Sequence, residues 1–252
     1  MKQKYIITDI DGVVLDWEEG FNVWMQHHGH ELVEGYQFKY SIGDRYGMSR
    51  NAGHKLVKIF NESAAIGFLP PLRDAQYFIK KLAEQHRYKF IALTSLSLDP
   101  YAKELRTRNL AKLMGEGTFS KVICLDTGAD KDEALARLAK KHKGCYWIED
   151  KPENLKAGTD VGFKGILVEH GHNMDNSVDG LVAKNWEQIY NHIVEEAELE
   201  GFCEASDDSN DKAKFWVTLK RNSFNIKPFS FSVLTIKSSS ISSSSSSPVY
   251  IY

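Results

Sequence analysis

Short apolar runs recur along the chain at residues 5–10, 90–93, 122–125, 146–148 and 165–168. Each is too short for a core helix and is followed by a turn or helix signal, so each reads as a strand buried on both faces. Between the later runs, apolar positions fall at three- and four-residue steps. These are Leu72, Ala75, Ile79 and Leu82, then Leu105 and Leu110, then Ala134, Leu135, Leu138 and Ala139. That spacing predicts amphipathic helices. Asp99 can cap the second of them with Pro100 at its first position, and Asp130, three residues before Glu133, forms a capping-box arrangement ahead of the third. Strands alternating with helices imply right-handed crossovers, hence an α/β fold with a doubly wound parallel sheet between helical layers.

The stretch from Asp16 to Pro70 breaks this alternation and is far longer than a strand-to-helix loop. Phe21, Trp24 and Met25, then Ala52, Leu56, Ile59 and Phe60, recur at helical spacing, with Gly43 and Gly47 marking turns between them. A small helical cap at 17–70 is therefore expected, inserted into a core made of 1–16 and 71–200. Trp186, Ile189, Ile193 and Val194 trace one more amphipathic helix before the chain changes character. The remainder, 201–252, reads as a C-terminal appendage. Nine of the ten residues in 238–247 are serine, a composition that cannot bury apolar area and predicts disorder from about residue 237. Residues 229–236 have a strand-like pattern and carry no recognisable site chemistry.

Composition narrows the partners. A chain of 252 residues with 42% hydrophobic and 26% charged positions can bury a core. Its net charge of -2 provides no global positive field for a nucleic acid polymer or an anionic membrane. Oligomeric state is not legible. Cys124, Cys145 and Cys203 are an odd number without metal-ligand spacing, and read as buried thiols in a reducing compartment. The first apolar run is interrupted by Asp9 before it reaches the length of a signal core, and no stretch of about 18 apolar residues occurs. A cytoplasmic protein is expected.

Chemistry concentrates at the ends of the strands. In Ile7-Thr8-Asp9-Ile10-Asp11-Gly12, two carboxylates two residues apart project to the same side if the strand's period of two continues, and Gly12 permits a sharp turn beside a ligand. The carboxyl end of a parallel strand is where open α/β sheets bind ligands. The second run finishes in Thr94-Ser95, whose hydroxyl and backbone N–H groups suit an anion. Lys131 begins a helix, where a cation opposes the helix dipole, and residues that break a local rule mark function more often than chance. Glu149-Asp150 ends the fourth run ahead of Pro152. Each piece alone has an ordinary explanation as a turn, a cap or a solvated lysine. On one sheet edge they form a constellation in which carboxylate oxygens from Asp9 and Asp150 suit Mg²⁺ and a substrate phosphate. The implied chemistry is phosphoryl transfer.

These motifs, in this order over residues 4–170, resemble those of the haloacid dehalogenase (HAD) superfamily. Asp9-Ile-Asp11-Gly-Val-Val is similar to the first motif, Thr94 to the second, Lys131 to the third and Glu149-Asp150 to the fourth. The resemblance implies a HAD-like Rossmannoid core whose fourth strand lies beside the first, and a cap between the first and second motifs. The return from that cap at 66–75 is similar to the nucleotidase-like and phosphoglucomutase-like branches. By the same resemblance Asp9 is the nucleophile and Asp11 the general acid and base. Thr94, Ser95 and Lys131 bind phosphate, and Mg²⁺ is held by Asp9, Asp150 and the main-chain carbonyl of Asp11. Glu149 serves the outer shell, with Asn154 standing where relatives place a further aspartate.

The expected activity is Mg²⁺-dependent hydrolysis of a small phosphate ester through an aspartyl phosphate, with a nucleoside monophosphate as first candidate and a sugar phosphate or a phosphomutase reaction as the alternative. A phosphoaccepting receiver or a binding protein without turnover is the competing class. Chain order argues against the receiver, since the acid-x-acid pair comes first and a long insert follows it. The presence of Asp11 disfavours dehalogenation. His27, His28 and His30 in the insert lack partner ligands and read as solvated, as do most of Arg45, Tyr46, Arg50 and His54.

Overall fold

The computed structural model describes residues 3–174, 178 and 180–205. It divides into two units, Met1–Glu198 and Leu199–Tyr252, and of the second the described residues are the end of the last helix. The serine-rich stretch and the strand-like pattern at 229–236 lie outside the described residues.

The first unit contains the expected strands and one more. They are β1 (Lys4–Thr8), β2 (Tyr88–Thr94), β3 (Phe119–Cys124), β4 (Tyr146–Glu149), β5 (Lys164–Val168) and β6 (Leu181–Ala183), all parallel in the order β3-β2-β1-β4-β5-β6. This is a doubly wound α/β sheet with β1 at its centre. Both faces of the central strands are apolar because both are covered. Ile6, Phe90, Ala92, Ile148 and Ile166 belong to one buried cluster, while their neighbours Ile7, Ile91, Leu93, Trp147 and Leu167 belong to the other. Period two thus sorts one continuous apolar run into two cores. The strand β6, only three residues long, is too brief to register as a pattern.

Helices α4 (Ala75–Gln85), α5 (Pro100–Met114), α6 (Asp132–His142), α7 (Pro152–Asp160) and α8 (Trp186–Ala205) connect or flank the strands. Asp99 caps α5 as the sequence indicated, accepting the Tyr101 N–H at 3.0 Å with Pro100 opening the helix. The capping box before α6 does not form. That helix begins at Asp132, and the residue at its cap is Lys131, which makes no capping bond. Its side chain is drawn into the site instead. Asp150 likewise is not a cap, since Lys151 occupies that position before α7.

Residues 17–70 contain α1 (Trp17–His27), α2 (Ile42–Arg45), α3 (Arg50–Asn61) and short 3₁₀ turns at 36–38 and 64–68. Asp16 caps α1 by accepting the Glu19 N–H at 3.0 Å, and Ser49 caps α3. Phe21, Met25, Phe60 and Ile66 are fully buried in the same cluster as Ile6, Ile10 and Phe90. The insert therefore does not own a separate core. Its aromatic rings pack on one another, with Trp17 stacked on Phe21 at 4.6 Å and Phe60 edge-on to Phe21 at 5.2 Å.

Candidate active site

Strand β1 stops at Thr8, one residue before the first acid. Asp9 keeps one sheet bond, from its N–H to the Ile148 carbonyl at 2.9 Å, after which Val13, Val14 and Leu15 all turn their N–H groups back to the Ile10 carbonyl. Beyond Thr8 the chain is no longer pleated, so alternation ceases to govern where side chains point. Asp9 and Asp11 consequently meet different partners, correcting the expectation that their carboxylates converge on one point.

Asp9 faces β4. Its Oδ2 lies 2.6 Å from Lys131 Nζ, and its Oδ1 accepts the Ile10 N–H at 2.7 Å. The same ammonium donates to Glu149 Oε2 at 2.7 Å and stands over the Trp147 ring at 5.4 Å. Glu149 is fully buried, and its Oε1 gathers the N–H groups of Asp150 and Lys151, which shapes the turn after β4. Ligand atoms of Asp9, Glu149 and Asp150 all lie within 4.8 Å of one another, the one such acidic group among the described residues. Burial first, then mutual repulsion, pushes the Asp9 carboxyl up to about 7 against the pull of Lys131. Burial lifts Glu149 to about 7 and Asp150 to about 6 in the same way. The Lys131 ammonium is held well above its ordinary range by Asp9 and Glu149, which together outweigh its burial. Three carboxylates share one ammonium. Hard oxygen donors at this spacing, short of positive charge, fit a divalent cation.

Asp11 turns toward β2 and α5. Its Oδ2 accepts the Thr94 hydroxyl at 3.2 Å, and its Oδ1 pairs with Arg106 Nη1 at 2.6 Å. The Thr94 side chain, expected at phosphate, is fully buried and engaged with Asp11. The Ser95 hydroxyl is spent on the Ala129 carbonyl at 2.7 Å, so its main chain is what it can offer an anion. With the Asp11 carboxylate committed to Arg106, its main-chain carbonyl is what it can offer a metal. Gly12 follows at φ 76°, a left-handed conformation that suits glycine, and a Cβ there would stand 2.7 Å from Asp150 Oδ2.

A cavity of about 970 Å³ opens over these groups, with Asp9, Asp11, Ser95, Lys131, Glu149 and Asp150 in its floor. Asn154 lines it too, and its main-chain carbonyl accepts the Trp147 indole N–H at 3.0 Å. The side chain that braces Asp150 is another one, Asn173. Its Nδ2 donates to the carbonyls of Asp150 at 2.7 Å and Val168 at 2.9 Å, and its Oδ1 accepts the His170 N–H. His170 Nε2 lies 2.6 Å from the Gly12 carbonyl, which fixes it as the donor, and burial lowers the pKa of the ring. From the insert, Trp17, Tyr40, Arg45, Arg50 and His54 reach the cavity wall, whereas His27, His28 and His30 do not.

Arg106, Asn173 and His170 were missed in the sequence. For Arg106 a signal existed: with Ala102, Asn109, Leu110 and Met114 it occupies the buried stripe of α5, a charge where the helical period demands an apolar residue. Asn173 and His170 sit in a loop without periodicity, and nothing local marks them.

No family model matches the chain. Among solved structures it is similar to a haloacid dehalogenase-like hydrolase from Streptococcus pneumoniae, with a TM-score of 0.55 and 12% identity over 75% of this chain and 98% of that one. A HAD-hydrolase from Bacillus subtilis, solved bound to magnesium, aligns with a TM-score of 0.51 and 13% identity over 76% of this chain and 99% of that one. The chain has the haloacid dehalogenase-like fold. Within that HAD-like framework its sequence is 32% identical over 162 residues to an uncharacterised 32.4 kDa protein from the Gp30-rIII intergenic region of Enterobacteria phage T4. That match covers 62% of this chain and 57% of the phage protein, so the chain spans little more than half the length of this curated relative. Among the described residues no helix of the HAD-like structure is long and apolar enough to cross a membrane.

Proposed function

We propose that the protein is a Mg²⁺-dependent phosphomonoester hydrolase that works through a phosphorylated Asp9. The observation that carries this reading is the packing of Asp9, Glu149 and Asp150 within 4.8 Å of one another at the end of the central strand, with a single ammonium bridging Asp9 and Glu149. The carboxylates of Asp9 and Asp150 and the carbonyl of Asp11 would hold the ion, with Glu149 setting Lys131 and the turn that carries Asp150. When bound, the ion supplies positive charge to the transferring phosphoryl oxygens.

The chain's own residues account for the rest. Asp9 Oδ2 lies against Lys131, so the ammonium both orients the nucleophile and lies where a phosphoryl oxygen would gather charge. Attack by Asp9 on phosphorus expels the alcohol, and hydrolysis of the acyl phosphate follows as a second, easier step. Asp11, beside Asp9 and facing the cavity, hands a proton to the leaving oxygen and then takes one from water. Thr94, the Ser95 main chain and Lys131 receive the phosphoryl group.

A small phosphorylated metabolite fits a cavity of about 970 Å³, and a nucleoside monophosphate is the first candidate, since Trp17 and Tyr40 offer faces for a base and Arg50 and His54 offer donors for a sugar. A sugar phosphate is the alternative. The decisive measurement is turnover of p-nitrophenyl phosphate with Mg²⁺. Wild type hydrolyses it, and chelation of the metal or Asp9→Asn reduces the rate to the blank. Turnover that survives in Asp9→Asn refutes the reading. A panel of nucleoside, hexose and pentose phosphates then ranks the substrate classes.

A further inference from the structure

Arg106 is a buried cation outside both the cavity and the sequence motifs. It is fully buried on α5, with Nη1 2.6 Å from Asp11 Oδ1, while Nε and Nη2 have no hydrogen-bond partner. A guanidinium with idle donors in a core is costly, and an apolar pair would anchor α5 to the turn after β1 more cheaply. What an apolar pair cannot do is distinguish the two oxygens of Asp11. Guanidinium only donates and keeps its protons, so Oδ1 opposite it is confined to accepting. Oδ2 faces the Thr94 hydroxyl, which has a single proton to donate. That contact, at 3.2 Å, is longer than the 2.6 Å pair on Oδ1, so Oδ2 is the less firmly held of the two oxygens.

We propose that Arg106 is a positioning residue that anchors Asp11 through Oδ1 and leaves Oδ2 as the oxygen for proton transfer. The inference rests on the phosphohydrolase reading above. In the first step, which starts from the neutral Asp11 acid left by the preceding turnover, the bond from Asp9 oxygen to phosphorus forms, the bond from phosphorus to the leaving oxygen breaks, and the Oδ2 proton passes to that oxygen. In the second, the bond from water oxygen to phosphorus forms, the Asp9 bond breaks, and a water proton returns to Oδ2.

The test exploits leaving groups. A p-nitrophenolate departs without a proton, whereas the alkoxide of adenosine monophosphate or a hexose phosphate needs one, and kcat/KM reports the step in which it leaves. With Mg²⁺ present, Arg106→Gln and Arg106→Lys should lower kcat/KM for the alkyl ester by about 100-fold, within the range of general acid catalysis, and for the aryl ester by less than about 10-fold. Asp11→Asn should show the same selectivity, and the double variant with Arg106→Gln no further change. Equal losses on both esters, or none on either, overturn the proposal, because a residue that only supports the fold cannot sense the leaving group. If Arg106→Gln fails to fold, Arg106→Lys, which retains the charge, carries the same comparison. Absence of Mg²⁺-dependent turnover in wild type, or its survival in Asp9→Asn, overturns the underlying reading as well, so the two failures are told apart.

Discussion

Asp9 and Asp11 are separated by a single residue, yet the surroundings of their carboxylates differ in kind. Asp9, with Glu149 and Asp150, gives three acids served by the one ammonium of Lys131. Asp11 has a whole guanidinium and a hydroxyl to itself. The first group is electrostatically unfinished, with burial and repulsion raising all three carboxyls to between about 6 and about 7. The second is finished within the chain. On the reading proposed above, the first condition suits a group completed by an external cation and the second a group that moves a proton.

The strongest way to break the comparison is Lys131→Met, which removes the one cation of the first group and leaves the second intact. Removing one partner from a buried ion pair costs about 3–5 kcal/mol, so metal-free protein at pH 8 should lose that much in denaturant unfolding. The loss should shrink at pH 5, where Asp9 and Glu149 become neutral. An undiminished loss at pH 5 would mean that Lys131 contributes packing on Trp147 rather than charge.

Gly12→Ala probes the seam between the two groups. The methyl is strained at φ 76° and stands 2.7 Å from Asp150 Oδ2, so the Asp150 carboxylate must shift. A destabilisation of about 1–3 kcal/mol is expected from such backbone strain, with a weaker Mg²⁺ affinity by calorimetry and an unchanged Asp11–Arg106 pair in a crystal structure.

A test that needs no substitution is the pH dependence of the first group alone. Asp9, Glu149 and Asp150 titrate higher folded than unfolded, so the folded chain binds more protons between about pH 4 and pH 7 and stability must fall as pH rises through that window. The melting temperature of metal-free protein should drop from pH 5 to pH 8, at about 2–4 °C for each kcal/mol of lost protonation, and saturating Mg²⁺ should restore it. A melting temperature insensitive to Mg²⁺ at pH 8 would show that the carboxylates need no external charge.

The first group was largely legible in the sequence because each member stands at the end of an apolar run, and strand ends in a parallel sheet converge by topology alone. Thr8 pairing with Ile148 is enough to bring Asp9 to Asp150. Lys131 was legible as a cation at the wrong end of a helix, and the structure supplies the reason in Asp9 and Glu149. The second group was only half legible. Asp11 was found, but its direction was not, because the pleat that would set it ends at Thr8. Arg106 was visible only as a charge on the buried stripe of α5, and a pattern read through Leu105 and Leu110 passes over it. Asn173 and the short β6 lie beyond such arguments, since a loop asparagine acquires meaning only from the carbonyls it happens to reach.

Placing β1 between β2 and β4 divides labour across a single strand: one neighbour brings Thr94 toward Asp11, the other brings Glu149 and Asp150 beside Asp9. The two halves are joined by the peptide from residue 9 to residue 11, by the electrostatic effect of Asp11 on Asp9, and by Gly12 lying against Asp150. In this layout α5 reaches the carboxylates through Arg106 at Asp11, on a side of the strand that is set by strand order rather than by any one side chain.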